Sequence, residues 1–243
     1  MIHLDQQGGI ARFVIDRGRA RNAFDLAGWR SLSNTVARIN ADTRAVILCS
    51  ADAGSFSAGA DIAEIAANRM EPGWGVRFLN DMRTAIDGIA ALPMPVIAAI
   101  DGGCFGAGVA LALAADVRIA GEAGRFAVTP AKLGLLYPAV DVQRLIAEVG
   151  RGQASRLLLT GDAIDAAEAG RIGLVDQVVP DALEASQAMA ERIVANKPGA
   201  VAGLKRALRH PDPAIHDAAF VTALANDELG EGLAGFAARK ERQ

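Results

Sequence analysis

A chain of 243 residues, 51% hydrophobic and 22% charged, has the length of one substantial domain plus an appendage and is too apolar to remain disordered. Its 25 Lys+Arg against 28 Asp+Glu give a formal net charge of -3, without the basic excess of a nucleic-acid binder. Two cysteines, Cys49 and Cys104, exclude a disulfide framework or a cysteine-rich zinc site, and His3, His210 and His216, all near the chain ends, argue against a Ser-His-Asp triad or a bound metal.

The opening MIHLDQQGG has neither a basic cluster nor an apolar run and so does not read as a secretory signal. Residues 10–15 read as a strand and 26–39 as an amphipathic helix, after a turn around Asn22. Residues 45–49 are a second apolar strand, followed by a loop of small residues over 50–60 and a helix from Ile62. A longer helix is expected over 76–92, stopped by Pro93 and Pro95. The β-branched run 96–100 predicts a buried strand turned by Asp101-Gly102-Gly103, and 106–115 a helix of small apolar residues. Further strands are expected at 117–120 and 175–179, and a helical run over 142–149. The stretch 95–120 is interrupted by Asp101, Gly102, Gly103 and Asp116, which is too broken for a membrane span. Beyond Pro180 only helical patterns remain, at 183–196 and along the Val201, Leu204, Leu208 face. The reading is a soluble, cytoplasmic α/β protein, with a core over 1–180 and a helical region over 181–243.

Two small-residue segments carry the functional signal. Ser55-Phe56-Ser57-Ala58-Gly59-Ala60-Asp61-Ile62 enters a helix, with Asp61 as N-cap and Glu64 spaced as a capping-box partner. Asp101-Gly102-Gly103-Cys104-Phe105-Gly106-Ala107-Gly108 repeats the order strand, turn, helix. It is not a dinucleotide fingerprint, because Leu111 stands where a third small residue belongs, and no P-loop ending is present. Each segment alone reads as tight packing. Two of them about fifty residues apart can instead supply converging N–H donors for an oxyanion, each often worth ~3 kcal/mol.

Phe56-to-Ile62, the 95–116 block, Lys132-Leu133-Gly134, Gln143-Arg144-Leu145, Gly173-Leu174-Val175-Asp176 and Glu231-to-Phe236 together resemble the crotonase (enoyl-CoA hydratase/isomerase) family, in order and at family spacing. The resemblance implies a crotonase-type spiral of ββα units and a C-terminal helical region used in trimerisation. It also implies an acyl-CoA thioester substrate, a homotrimer or dimer of trimers, and no cofactor beyond the CoA moiety. By position, the N–H groups of Ala60 and Ala107 would hold the thioester oxygen and stabilise its enolate. Position 107 is usually glycine, but alanine keeps the donor. CoA contacts would fall to Arg19, Ala20, Arg21, Ala58, Asp61 and Ile62, with Phe236 and Arg239 reaching CoA in a neighbouring subunit. Without the resemblance, Arg19 and Arg21 read equally as a solvated loop.

The departures are sharper than the matches. The two glutamates of the family's hydratases fall at Ala110 and Pro130, neither of which can ionise or move a proton. Such groups each contribute ~100- to 10,000-fold, so efficient two-glutamate hydration is not expected, and a single-glutamate isomerase mechanism is undercut as well because its base falls at Pro130. Thr129 to Tyr137 is similar to the corresponding segment of the methylmalonyl-CoA decarboxylase branch, in which loss of CO2 would form the enolate without a base, with Tyr137 orienting the carboxylate or protonating the product. That branch's histidine and glutamate are replaced here by Ala60 and Ala110. Other readings stand beside it: Tyr137 as a core or rim residue, Asp141 as a helix N-terminal charge or substitute base, and the whole chain as an acyl-CoA binder of impaired catalysis. Cys104 reads as a packed hydrophobe and Lys132 as a surface residue.

Overall fold

The computed structural model describes residues 2–240; the side chain of Arg239 lies outside the described residues. Six strands form the main sheet in the order Ile2–Gln7, Ile10–Ile15, Ala45–Ser50, Val96–Ile100, Val117–Gly121 and Gln177–Val179. The first pair is antiparallel, with Ile2 opposite Ile15, and the rest of the sheet is parallel. Val96–Ile100 is buried along its whole length, as an uninterrupted β-branched and alanine run demands when helices or other sheets cover both faces. A second sheet runs Ile164–Asp165, Arg125–Ala127, Gly103–Phe105 and Ser55–Ser57, and a third pairs Ala23–Phe24 with Gly59–Ala60.

The repeated unit is one strand in the main sheet, a short strand in the second sheet, then a helix. It occurs as Ala45–Ser50, Ser55–Ser57 and Ile62–Asn68, and again as Val96–Ile100, Gly103–Phe105 and Ala107–Ala112. The loop expected over 50–60 therefore contains two short strands, and Gly103 opens a strand where a turn was expected. The helix expected over 106–115 is confined to Ala107–Ala112, and the strand expected over 175–179 to Gln177–Val179. The edge strand Ile2–Gln7 is an addition to the sequence reading.

Helix Trp74–Ala90 buries Trp74, Met82, Ala85, Ile86 and Ile89, one stripe at helical spacing, and packs on helix Leu26–Val36. Each large buried side chain of this kind stabilises by roughly 1.5–3 kcal/mol. Helix Ala139–Thr160 breaks at Gly150, whose φ of 72° is left-handed. Helix Ala182–Val194 covers the other face of the main sheet with Ala182 and Ala190. Helices Pro198–Arg209, Pro213–Ala223 and Asp227–Lys240 complete the chain and expose Phe220, Val221, Leu224, Leu233 and Phe236. Among the described residues no helix is long and apolar enough to cross a membrane.

Candidate active site

The two small-residue segments meet. Gly59 has a φ of 89°, and a Cβ placed on it would lie 2.5 Å from Phe105 O and 2.8 Å from Ala107 N. A Cβ on Gly108 would lie 2.7 Å from Ser57 O. Only glycine allows this approach, so the backbone of the Gly59 segment passes against that of the Ala107 segment at the cost of any side chain at 59 or 108. The amides flanking Ala60 are committed elsewhere: Gly59 N–H donates to Ser57 Oγ at 3.0 Å and Asp61 N–H to Phe24 O at 2.8 Å. Ala107 is the first residue of its helix, where an N–H has no partner within the helix.

Both alanines line one cavity of about 280 Å3. Its walls are mainly apolar, with Ile65, Trp74, Phe78, Leu79 and Met82 on one side and Leu133, Leu135 and Leu136 on the other. Of the residues singled out from the sequence, Ala58, Ala60, Ile62, Ala107, Pro130, Tyr137 and Asp141 line it. Ala110 is fully buried behind it, and Phe236 is exposed on the last helix. Arg19 and Ala20 lie in the 3-10 turn Gly18–Ala20, with Arg21 following at a φ of 49°, and both arginines are exposed.

Buried Asn22 fixes that turn. Its Oδ1 accepts from Arg17 N at 2.7 Å and its Nδ2 donates to Ser50 Oγ at 2.7 Å and Ser55 O at 2.8 Å. Ser57 Oγ donates to Asn22 O at 2.8 Å and accepts from Gly59 N–H, so a line of hydrogen bonds runs from the arginine turn to the Ala60 segment. Asp61 caps its helix as expected, accepting from Ala63 N and Glu64 N at 3.0 and 3.2 Å. The capping box does not close, because Glu64 accepts instead from Leu26 N at 2.9 Å. Burial, the larger influence, raises the Glu64 pKa.

Asp141 sits in the first turn of its helix, as its position before residues 142–149 suggested, and is completely buried. Its Oδ1 accepts from Arg83 Nη1 at 2.7 Å and lies 3.4 Å from Arg144 Nη1. Both arginines also reach Asp87 Oδ1, at 2.9 and 2.8 Å, closing a ring of two positive and two negative groups. Asp141 Oδ2 is left without a hydrogen-bond partner among the described residues, an arrangement that costs about 1–3 kcal/mol unless something else donates to it. Arg83, 58 residues away in sequence, carried no signal that would have paired it with Asp141.

Tyr137 packs against the main core, and its O–H donates to Gly106 O at 3.1 Å. Burial, then the charge of Asp141, raises its pKa well above 10, so the phenol is neutral at physiological pH. Cys104 is buried and its thiol pKa is driven up by desolvation, which leaves it a packing residue. Lys132 is half-exposed and stands 3.6 Å from Asp162.

The enoyl-CoA hydratase/isomerase family model matches residues 5–237. The chain is 32% identical over 244 residues to the 2,3-dehydroadipyl-CoA hydratase of Escherichia coli K12, covering 96% of this chain and 94% of that protein. It is 30% identical over 250 residues to the mitochondrial methylglutaconyl-CoA hydratase of Mus musculus, covering 96% and 79%. The crystal structure of an enoyl-CoA hydratase from Bacillus anthracis superposes with a TM-score of 0.92 at 34% identity, covering 98% of this chain and 96% of that one. This chain belongs to the enoyl-CoA hydratase/isomerase family, and its α/β architecture is the crotonase fold. It is an enzyme of acyl-CoA processing.

Proposed function

We propose that this enzyme shifts the double bond of an enoyl-CoA by proton transfer next to the thioester. The thioester oxygen is held by the N–H groups of Ala60 and Ala107. Asp141 Oδ2 removes a proton from C2 of a 3-enoyl thioester, the charge passes to the thioester oxygen, and the proton returns at C4 to leave the 2-enoyl product. No water is added and no electron acceptor is needed. One observation supports the reading: a fully buried carboxylate, one oxygen of which has no hydrogen-bond partner among the described residues, lines the same cavity as both alanines, while the family resemblance puts Ala110 and Pro130 at the hydratase glutamate positions.

Hydration through two glutamates has no groups to run on at those positions. Decarboxylation is disfavoured by the commitment of the Tyr137 O–H to Gly106 O. A binder of impaired catalysis is disfavoured by the presence of a titratable group in the cavity wall. CoA is taken by the turn of Arg19, Ala20 and Arg21 with Ala58, Asp61 and Ile62. The exposed apolar side chains of the last two helices support assembly into a homotrimer or dimer of trimers, in which Phe236 and Arg239 would reach a neighbour's CoA. No cofactor beyond CoA is assigned.

Mass spectrometry in D2O with 3-enoyl, 2-enoyl and malonyl-type CoA thioesters tests this. The expected result is conversion of 3-enoyl to 2-enoyl thioester with deuterium uptake, lost in Asp141→Asn. Rapid gain of water, loss of CO2, or binding without turnover would each overturn it, in favour of hydration, decarboxylation or the binder.

A further inference from the structure

We infer that Tyr137 is a positioning residue for the oxyanion donors, acting through the peptide that joins Gly106 to Ala107. The carbonyl of that peptide is Gly106 O, which accepts from the Tyr137 O–H at 3.1 Å. The N–H of the same peptide is that of Ala107, which lines the cavity. A hydrogen bond to an amide oxygen draws electron density away from the nitrogen and makes its N–H a stronger donor, an effect of about 10–30% per bond. Tyr137 therefore need not touch the thioester to affect it.

The hydroxyl also takes a defined place in the first helical turn. Gly106 O accepts from Val109 N at 3.0 Å, but the following bond from Ala110 N is stretched to 3.4 Å. The Ala110 N–H acts on the phenol oxygen as well. The Tyr137 hydroxyl thus shares the Gly106 carbonyl with the first two N–H donors of the helical turn. With its proton committed to Gly106 O and its pKa raised by burial, the phenol is built to hold a peptide rather than to exchange protons with substrate.

The inference rests on Ala60 and Ala107 as the thioester donors but not on Asp141 as the base, so the test uses a saturated acyl-CoA that does not react. The infrared stretch of its isotope-labelled thioester carbonyl reports donor strength directly. Binding to the unaltered protein should lower that frequency relative to water, and Tyr137→Phe should reduce the lowering. In turnover, Tyr137→Phe should decrease kcat about two- to eightfold, the effect of weakening one donor by that fraction, with KM and the pH profile unchanged. Because Tyr137 is the only tyrosine in the chain, growth on 3-fluorotyrosine replaces it alone. Its more acidic O–H should lower the carbonyl frequency further, and this chain carries the test if Tyr137→Phe does not fold. An unchanged frequency in both altered proteins overturns the role of Tyr137. Loss of one limb of the pH profile in Tyr137→Phe overturns it in favour of direct proton transfer. No lowering in the unaltered protein overturns the donor assignment beneath it.

Discussion

On one side of the cavity the proposed chemistry is carried by main-chain groups, the N–H of Ala60 and of Ala107. On the other stand two side chains, Asp141 as the base and Tyr137 as the residue that positions the Ala107 peptide. The two walls respond to substitution in opposite ways. The main-chain wall is indifferent to which small side chain stands at 60 or 107, because any residue but proline supplies the donor. It depends instead on glycines that are not themselves donors, since Gly59 and Gly108 let two segments approach to backbone contact. The side-chain wall stands on long-range pairs, Asp141 with Arg83 and Tyr137 with Gly106, the second of which joins it to the peptide that carries the Ala107 N–H. Such a division would let enolate stabilisation persist while the proton-handling groups are exchanged.

The largest effect is expected from breaking the main-chain wall. Gly59→Ala forces a φ of 89° on an L-residue and sets its methyl 2.5 Å from Phe105 O. Backbone strain of about 1–3 kcal/mol and overpacking of about 1–3 kcal/mol add to roughly 2–6 kcal/mol, read as a lower midpoint in urea unfolding, with acyl-CoA binding lost alongside. Asp141→Asn breaks the other wall while sparing the fold, because the amide oxygen still accepts from Arg83. Double-bond shift and α-proton exchange should fall ~100- to 10,000-fold, with acyl-CoA affinity within about threefold by calorimetry.

A third substitution tests whether the walls are independent. Pro130 is half-buried on the cavity wall and opens the 3-10 turn Pro130–Leu133, where an acidic residue is tolerated. Pro130→Glu installs a carboxylate opposite donors that are already in place. An unoptimised group delivers only part of the ~100- to 10,000-fold of an evolved one, so hydration of a 2-enoyl thioester should rise by about 10-fold. If it does not, the donors are not disposed as they are in the hydratase relatives. Ala110→Glu should fail instead, because that site is fully buried.

Which features were legible from the sequence follows the same division. Strands Ile10–Ile15 and Val96–Ile100 lie where β-branched runs put them, and Asp61 caps where its spacing put it. The strands Ser55–Ser57 and Gly103–Phe105 are three residues each, too short to show a period, and exist because partners from distant units flank them. The two similar segments and the family resemblance suggested that Ala60 and Ala107 converge, and both line one cavity. The ring of Arg83, Asp87, Asp141 and Arg144 was not, because charged residues on two helices carry no mark of which will face each other. Glu64 satisfied a capping-box spacing, yet a free Leu26 N–H lay nearer to its carboxylate in the fold.

The smallest effect probes how the two side chains of the second wall feel each other. An unburied phenol ionises near pH 10. In the folded chain burial raises the Tyr137 pKa well above that value, and the Asp141 charge raises it further. A group whose folded pKa is raised contributes stability that is fully present below its unfolded pKa and is lost as pH rises through the folded one. The loss therefore belongs above about pH 10. With a single tyrosine in the chain, the phenolate absorbance band reads this site alone. About half of the band should be present near pH 10 in denaturant and almost none in the folded protein, with ionisation and alkaline unfolding coinciding. Asp141→Asn removes the second cause but not the first, so the folded phenolate should emerge at a lower pH than in the unaltered protein, yet still above pH 10. A titration that Asp141→Asn leaves in place would mean that the carboxylate and the phenol do not share one field, and the second wall would divide into two unrelated sites.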